Sequence, residues 1–381
     1  MNSQKHLFNL DPNITYLNCA YMSPMMKTVE EAGHKGLLRK RQPNEIGAED
    51  FFNEAEELRQ AFAQFVNVTE PNRVAIVASA SYGLANVANN LKLTSGDEIL
   101  LVGEQFPSNV YSWRKVAAES GANIITVPAP PNSLERGTEW NTKILNAISP
   151  KTKLVACAHA HWSDGTLFDL KAIRKRTNEV GAWLAIDGTQ TIGALPFDIE
   201  EIQPDALIAS GYKSLMGPYG IGMAYYGPAL DGGVPIEENW INRYKSEDFR
   251  NLVNYSDDYQ PGALRYEVGG HSNFILVPML LEAIRVLNSW GVEEVQNYCK
   301  QLVHEPVRQL RDAGFIIEKE DHRASNIFGI RLGEHHDMAD IKNRLQEANV
   351  FVSYRGDAVR ISPNVYNETA DMDLLVKTLT R

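Results

Sequence analysis

Two stretches of the chain place a carboxylate and an amine where a flat, charged ring could be held between them. In Ala185-Ile186-Asp187-Gly188-Thr189-Gln190 an acid ends a run that reads as a buried central strand, where a carboxylate is costly unless a cation meets it. In Ala209-Ser210-Gly211-Tyr212-Lys213-Ser214 a lysine follows the end of the next apolar run. Ligands of open α/β sheets bind at strand carboxyl ends. An acid and a lysine converging there suit a cofactor with a protonatable ring nitrogen and an aldehyde, because the acid keeps the nitrogen cationic while the lysine forms a Schiff base. Pyridoxal phosphate (PLP) is that cofactor. On these residues alone, Asp187 and Lys213 read as readily as a strand-end salt bridge or as two solvated side chains.

Other residues add chemistry of lower specificity. Ser79-Ala80-Ser81-Tyr82-Gly83 is a small-residue turn between a strand and a helix, and the free N–H groups and dipole at such a helix start favour an anion. The same turn also reads simply as Ser81 capping the helix. His159 and His161 stand two residues apart, but no third ligand of suitable spacing accompanies them, so no metal is expected. Cys19, Cys157 and Cys299 are far apart, odd in number and form no CxxC pair. That usage points to a reducing compartment and away from a disulfide framework.

The elements that must position these groups are legible as alternating patterns. Apolar, β-branched runs predict strands over 74–78, 98–102, 123–127, 154–158, 183–186, 206–209 and 222–226. Helical-period segments between them predict helices over 83–91, 113–120, 142–148 and 170–180. Such alternation implies parallel strands joined by crossover helices, an α/β sheet buried on both faces. After Gly291 the texture changes to an α+β pattern: helices over 293–313, 338–348 and 370–379, with strands over 315–318, 327–332, 350–353 and 358–361. Residues 240–260, rich in Asn, Tyr, Asp and Lys, read as a surface excursion.

Composition narrows the function classes. With 381 residues, 44% of them hydrophobic, the chain can build a large core and has room for more than one domain. A net charge of −11 repels a phosphate backbone, and Arg39-Lys40-Arg41 reads as the solvated end of a helix, so no nucleic-acid partner is expected. The amino terminus lacks the apolar stretch of a signal peptide. The most apolar helical segment, 274–287, is interrupted by Pro278, Glu282 and Arg285, so no membrane partner is expected and the expected compartment is the cytoplasm.

A longer ordered string decides between these readings. Asp187-Gly188-Thr189-Gln190, Gly193, Asp198, Pro204-Asp205, Ser210-Gly211-Tyr212-Lys213 and Gly217-Pro218-Tyr219-Gly220-Ile221-Gly222 together resemble the class V aminotransferase family of fold type I PLP-dependent enzymes. That group contains cysteine desulfurases, kynureninases and isopenicillin N epimerase-like proteins. The resemblance spans nearly the whole chain, including Tyr16-Leu17-Asn18-Cys19-Ala20-Tyr21 with Pro24. It implies an α/β fold type I transferase with a large PLP-binding domain over 20–290 carrying a mostly parallel mixed sheet. A smaller α+β domain is built from 1–19 and 291–381.

The resemblance also implies roles. Lys213 is the Schiff-base lysine and Asp187 the partner of the ring nitrogen, with Gln190 beside the ring hydroxyl and Phe106 stacked on the ring. Ser210, Tyr212, Ser81 and the backbone of Ala80 fall where the family binds the phosphate. His161 and Asp164 border substrate and cofactor, Ala20 and Tyr21 open the site, and Arg360 grips the α-carboxylate of an amino acid as a planar fork. Gly270 lies where the family reaches the phosphate of the neighbouring subunit, which implies a homodimer with shared active sites. The expected reaction is amino transfer from a small amino acid. The alternatives are a lyase of the cysteine desulfurase, selenocysteine lyase or kynureninase kind, an epimerase, and a non-catalytic relative of the fold. Desulfuration is disfavoured because Phe106 stands where desulfurases carry a proton-exchanging His, and because residues 352–357 include no cysteine.

Overall fold

The computed structural model describes residues 1–381. A short strand β1 (Thr15–Tyr16) is followed by helices α1 (Lys27–Arg39) and α2 (Asn53–Phe65). Strands β2 (Val74–Val77), β3 (Glu98–Val102), β4 (Asn123–Val127), β5 (Thr152–Ala158), β6 (Trp183–Asp187), β7 (Ala206–Ser210) and β8 (Gly222–Tyr226) then form one sheet. Helices α3 (Ala80–Asn90), α4 (Ser108–Ser120), α5 (Arg136–Ala147), α6 (Leu170–Val180) and the short α7 (Ile199–Ile202) lie between these strands. The chain continues through α8 (Leu276–Trp290), α9 (Val292–Asp312), β9 (Phe328–Arg331), α10 (Met338–Glu347), β10 (Val350–Phe351), β11 (Ser353–Arg355), β12 (Ala358–Ile361) and α11 (Thr369–Leu379).

The sheet order is β2-β8-β7-β6-β5-β3-β4, and β8 alone runs against the others. The sheet is buried on both faces, which explains its uninterrupted apolar strands. Val74 and Ile76 of β2, Leu100 and Val102 of β3, and Leu184 and Ile186 of β6 enter one core, beneath residues of α1, α2 and α8. Ala75 and Val77, Ile99 and Leu101, and Ala185 enter the opposite core with residues of α3 and α4. Local signals set the ends of the crossover helices. Asp169 caps α6 by accepting from the N–H of Ala172 at 2.9 Å, and Gly181 closes the same helix at φ +69°. Because six strands share one direction, their carboxyl ends gather along one edge. The order reverses between β3 and β5, the place where such sheets leave a crevice.

A separate core unites Leu17 with Val303 and Val307 of α9, Phe328 and Ile330 of β9, Val359 and Ile361 of β12, and Leu375 of α11. β12 pairs antiparallel with both β9 and β11, while β10 pairs with β1 at the amino terminus. One expectation needs correction. Residues 315–318 form no strand and contribute only the isolated bridge Ile316–Arg331. Helices α1 and α2 add a layer that the alternation of strands and helices did not announce. No helix is long and apolar enough to cross a membrane.

Candidate active site

A cavity at the carboxyl edge of the sheet is lined by Ala80 after β2, Gln105 and Phe106 after β3, and Ala158, Ala160 and Trp162 after β5. Asp187, Thr189 and Gln190 complete it at and beyond the end of β6, and Ser210, Tyr212 and Lys213 at and beyond the end of β7. Seven of the expected site residues therefore converge: Ala80, Phe106, Asp187, Gln190, Ser210, Tyr212 and Lys213.

The two segments carrying Asp187 and Lys213 are locked together. The Thr189 hydroxyl accepts from the N–H of Ser210 at 3.2 Å, and the Ser214 hydroxyl donates to the carbonyl of Gln190 at 2.9 Å. Gly193, at φ +111°, passes so close that a Cβ there would lie 2.1 Å from the Ser214 carbonyl oxygen, so only glycine fits. Asp187 is buried and accepts one hydrogen bond, from the N–H of Thr189 at 3.0 Å. The Lys213 amine lies 5.2 Å from the centroid of the Phe106 ring and 5.5 Å from that of Tyr212. Burial pushes its pKa down to about 8, against the opposing pull of Asp187.

At the β2 end, the α3 cap is Ser79, whose hydroxyl accepts from the N–H of Tyr82 at 3.2 Å. Ser81 is not the cap. It is exposed, with its hydroxyl 3.3 Å from that of Ser79, so two hydroxyls stand together at this helix start.

Arg360, on β12, is 1% exposed and donates to the carbonyl of Trp162 at 2.9 Å and to the Ser353 hydroxyl at 3.2 Å. Its Nε has no partner, and no carboxylate faces it. Burial, aided by the charge of Arg355, pushes its pKa down to about 9. Other buried arginines differ: Arg59 meets Glu267 at 2.9 Å, Arg331 meets Asp164 at 2.6 Å, and Arg136 is paired with the same Asp164. Arg323, which also lacks an acid, places its Nε and Nη1 on backbone carbonyls at 3.1 and 3.2 Å. Arg360 is thus a buried cation awaiting an anion.

Several expected residues lie elsewhere. The carboxylate of Asp164 does not reach the cavity. It accepts from Arg136, from Arg331 at 2.6 Å and from the Thr166 hydroxyl at 3.0 Å, because buried guanidiniums claim it first. Against the opposing effect of burial, His161 first and then the charges of Arg136 and Arg331 hold its pKa well below the usual carboxylate range. His161 is wholly buried behind the cavity wall, 2.8 Å from the Ser163 hydroxyl and 5.0 Å from the ring centroid of Trp140, and so is not positioned to touch substrate. Ala20 is buried and offers its carbonyl to the Gln190 amide at 3.3 Å, while Tyr21 is 55% exposed outside the cavity wall. Gly270, expected to reach the phosphate of the neighbouring subunit and not that of its own, sits in an exposed turn at φ +72°. Sequence reasoning missed Gln105, Trp162, Thr189 and Ser79 as site residues; the strand-end position of Gln105 and the adjacency of Ser79 to Ser81 were the available signals.

The donor set fits PLP. Gln190 Oε1 and Gln105 Nε2 are buried without partners, one Asp187 oxygen accepts nothing within the chain, and the Lys213 amine makes no hydrogen bond. A ring with a protonatable nitrogen, a hydroxyl and an aldehyde would satisfy these groups, and the free N–H groups at the start of α3 suit its phosphate. The fold and the cavity define a fold type I PLP-dependent enzyme.

Comparison with known proteins agrees. The family profile of class V aminotransferases matches residues 41–375, and the chain belongs to that family. Among its relatives, the uncharacterized aminotransferase YcbU of Bacillus subtilis is 26% identical over 327 residues, 82% of this chain and 80% of that protein. A cysteine desulfurase of Serratia proteamaculans is 26% identical over 344 residues, 86% of this chain and 82% of that protein. Among solved structures, the cystine C-S lyase C-DES in complex with cysteine persulfide superposes with a TM-score of 0.84 at 21% identity, covering 97% of this chain and 98% of that one. The Escherichia coli cysteine desulfurase CsdA gives 0.80 at 20% identity, covering 98% and 96%.

Proposed function

We propose that this chain, as a cytoplasmic homodimer, transfers the amino group of a small amino acid to a keto acid. The observation that carries the reading is that Lys213 is the only amine or imidazole on the cavity wall. Arg360 would bind the α-carboxylate, the one anion its buried guanidinium lacks, and so fix the α-carbon near Lys213. PLP supplies an electron sink for the charge left at that carbon. Lys213 Nζ, poised near neutral pH by burial, takes the α-proton and returns it at a neighbouring atom, a task one base on one face can perform. Asp187 would hold a proton on the ring nitrogen of the bound cofactor. Burial also pushes the pKa of Tyr212 up, so its hydroxyl stays protonated and can donate. Epimerisation needs a proton donor on the opposite face, and Phe106 has no exchangeable proton.

Elimination from a sulfur amino acid is the second reading, favoured by relatives named cysteine desulfurase and by the likeness to a cystine lyase. It requires no protein thiol, whereas desulfuration does. Incubating the holoenzyme with a panel of amino acids and 2-keto acids separates the readings. A new amino acid formed from the acceptor supports transfer, while pyruvate, ammonia and sulfide released from cysteine or cystine without an acceptor support the lyase. Absence of a visible cofactor band would instead favour a non-catalytic protein.

A further inference from the structure

The β11–β12 hairpin carries a second cation that amino-acid binding through Arg360 does not use. Its register sets Ser353 opposite Arg360 and Arg355 opposite Ala358. Opposed residues share a face, as do alternate residues of one strand, so Arg355 and Arg360 are diagonal neighbours, with Cα atoms roughly 7–8 Å apart. The Arg355 guanidinium carbon lies 5.5 Å from the ring centroid of Trp162, which is a cavity wall and also supplies the carbonyl that holds Arg360. Arg355 donates only to its neighbour Tyr354, at 2.8 Å, and its Nε is buried without a partner.

No acid neutralises it. Asp357, two residues on, is turned away to Arg331 at 3.1 Å and Asn132 at 2.6 Å. Two like charges on one hairpin face repel, and the charge of Arg355 contributes to the lowered pKa of both Lys213 and Arg360. The other anions of the site are already placed, with Asp187 at the ring nitrogen and the phosphate suited to the α3 start. A second unpaired guanidinium beside the first calls for a second anion on the same substrate.

We propose that Arg355 binds an anion at the end of the substrate side chain, so that the preferred substrates are acidic amino acids of the aspartate or glutamate class. The proposal rests on the reading of Arg360 as the α-carboxylate site. The forked guanidinium would take the distal carboxylate as Arg360 takes the proximal one.

The test compares unreactive dicarboxylates (succinate, glutarate) with monocarboxylates of matching length (butyrate, valerate), their binding to the holoenzyme followed by calorimetry. At least about tenfold tighter dicarboxylate binding is expected. Arg355→Gln should bring that ratio close to one and Arg355→Lys should recover part of it, while Arg360→Gln should weaken both classes. In turnover, the kcat/KM of aspartate or glutamate relative to alanine should fall at least about tenfold in Arg355→Gln, mainly through KM. The better of aspartate and glutamate reports the reach of the pocket. Equal binding of the two classes, or selectivity that survives Arg355→Gln, overturns the proposal alone if Arg360→Gln still weakens monocarboxylates. If neither class binds and Arg360→Gln changes nothing, the reading of Arg360 falls and this proposal with it.

Discussion

Asp187 ends β6 and Lys213 follows the end of its parallel neighbour β7, yet no ion pair joins them. Asp187 spends one oxygen on the N–H of Thr189, while the Lys213 amine rests over aromatic rings. A direct salt bridge would satisfy both charges and leave nothing to hold. The gap leaves each charge free for a group placed between them.

Lys213→Ala is expected to abolish covalent fixation of the cofactor on borohydride reduction, since no other lysine lines the cavity. Asp187→Asn should retain some cofactor and lose most turnover, because a neutral partner does not keep the ring nitrogen protonated. Mass spectrometry of the reduced protein and steady-state rates check the two variants; full activity in Asp187→Asn would show that another acid holds the ring.

Arg360→Lys should raise KM for amino acids at least about tenfold, because an ammonium offers a point charge where a carboxylate favours a planar fork. Amines without a carboxylate should lose far less. Unchanged KM for amino acids would transfer the carboxylate to Arg355.

Stability should respond to Glu318, whose pKa is pushed up to about 7 by burial and by the charge of Asp164. A carboxyl with a raised folded pKa stabilises the fold while protonated. Its contribution is full below about pH 4.5 and is lost as pH rises through 7. Wild type should therefore lose on the order of 3 kcal/mol relative to Glu318→Gln across that window, in which Asp164, held well below its usual range, stays ionised in wild type. Chemical denaturation at a series of pH values measures the difference, and parallel curves would refute it.

Sulfur transfer from cysteine to a protein thiol should be absent. Burial pushes the Cys19 thiol up to about 11 and Cys157 to about 12, and raises Cys299 as well. The Asn364 amide lies 3.5 Å from the Cys19 sulfur, and all three thiols are buried. A thiol reagent should modify the native protein slowly and all three sites quickly in denaturant. A persulfide found on the native chain would contradict this.

The seven-stranded sheet was legible because burial on both faces writes strands such as Val74-Ala75-Ile76-Val77 as unbroken apolar runs. The pair Asp187 and Lys213 was legible because each follows such a run. Asp164 was misplaced for the opposite reason: its partners Arg136 and Arg331 come from distant segments, and no local pattern announces a buried ion cluster. Residues 315–318 look like a strand in composition, yet they bond to Arg331 through a single bridge. Thr189 and Gln105 enter the site through turn geometry, which their residue types do not encode.

The ion cluster around Asp164 bears on how molecules reach the cavity. It fastens β9, through Arg331, to the loop that carries Trp162, and Arg360 on the adjoining strand is tied to that same loop. The strand that carries Arg360 is therefore riveted to the sheet edge and makes a poor hinge. The amino-terminal segment is held more lightly: Tyr21, Met22 and Met25 are 55, 40 and 39% exposed, and Ser23 bonds to the carbonyl of Tyr212 beside Lys213. A molecule entering the cavity should therefore displace that short amino-terminal segment before it displaces the arginine hairpin.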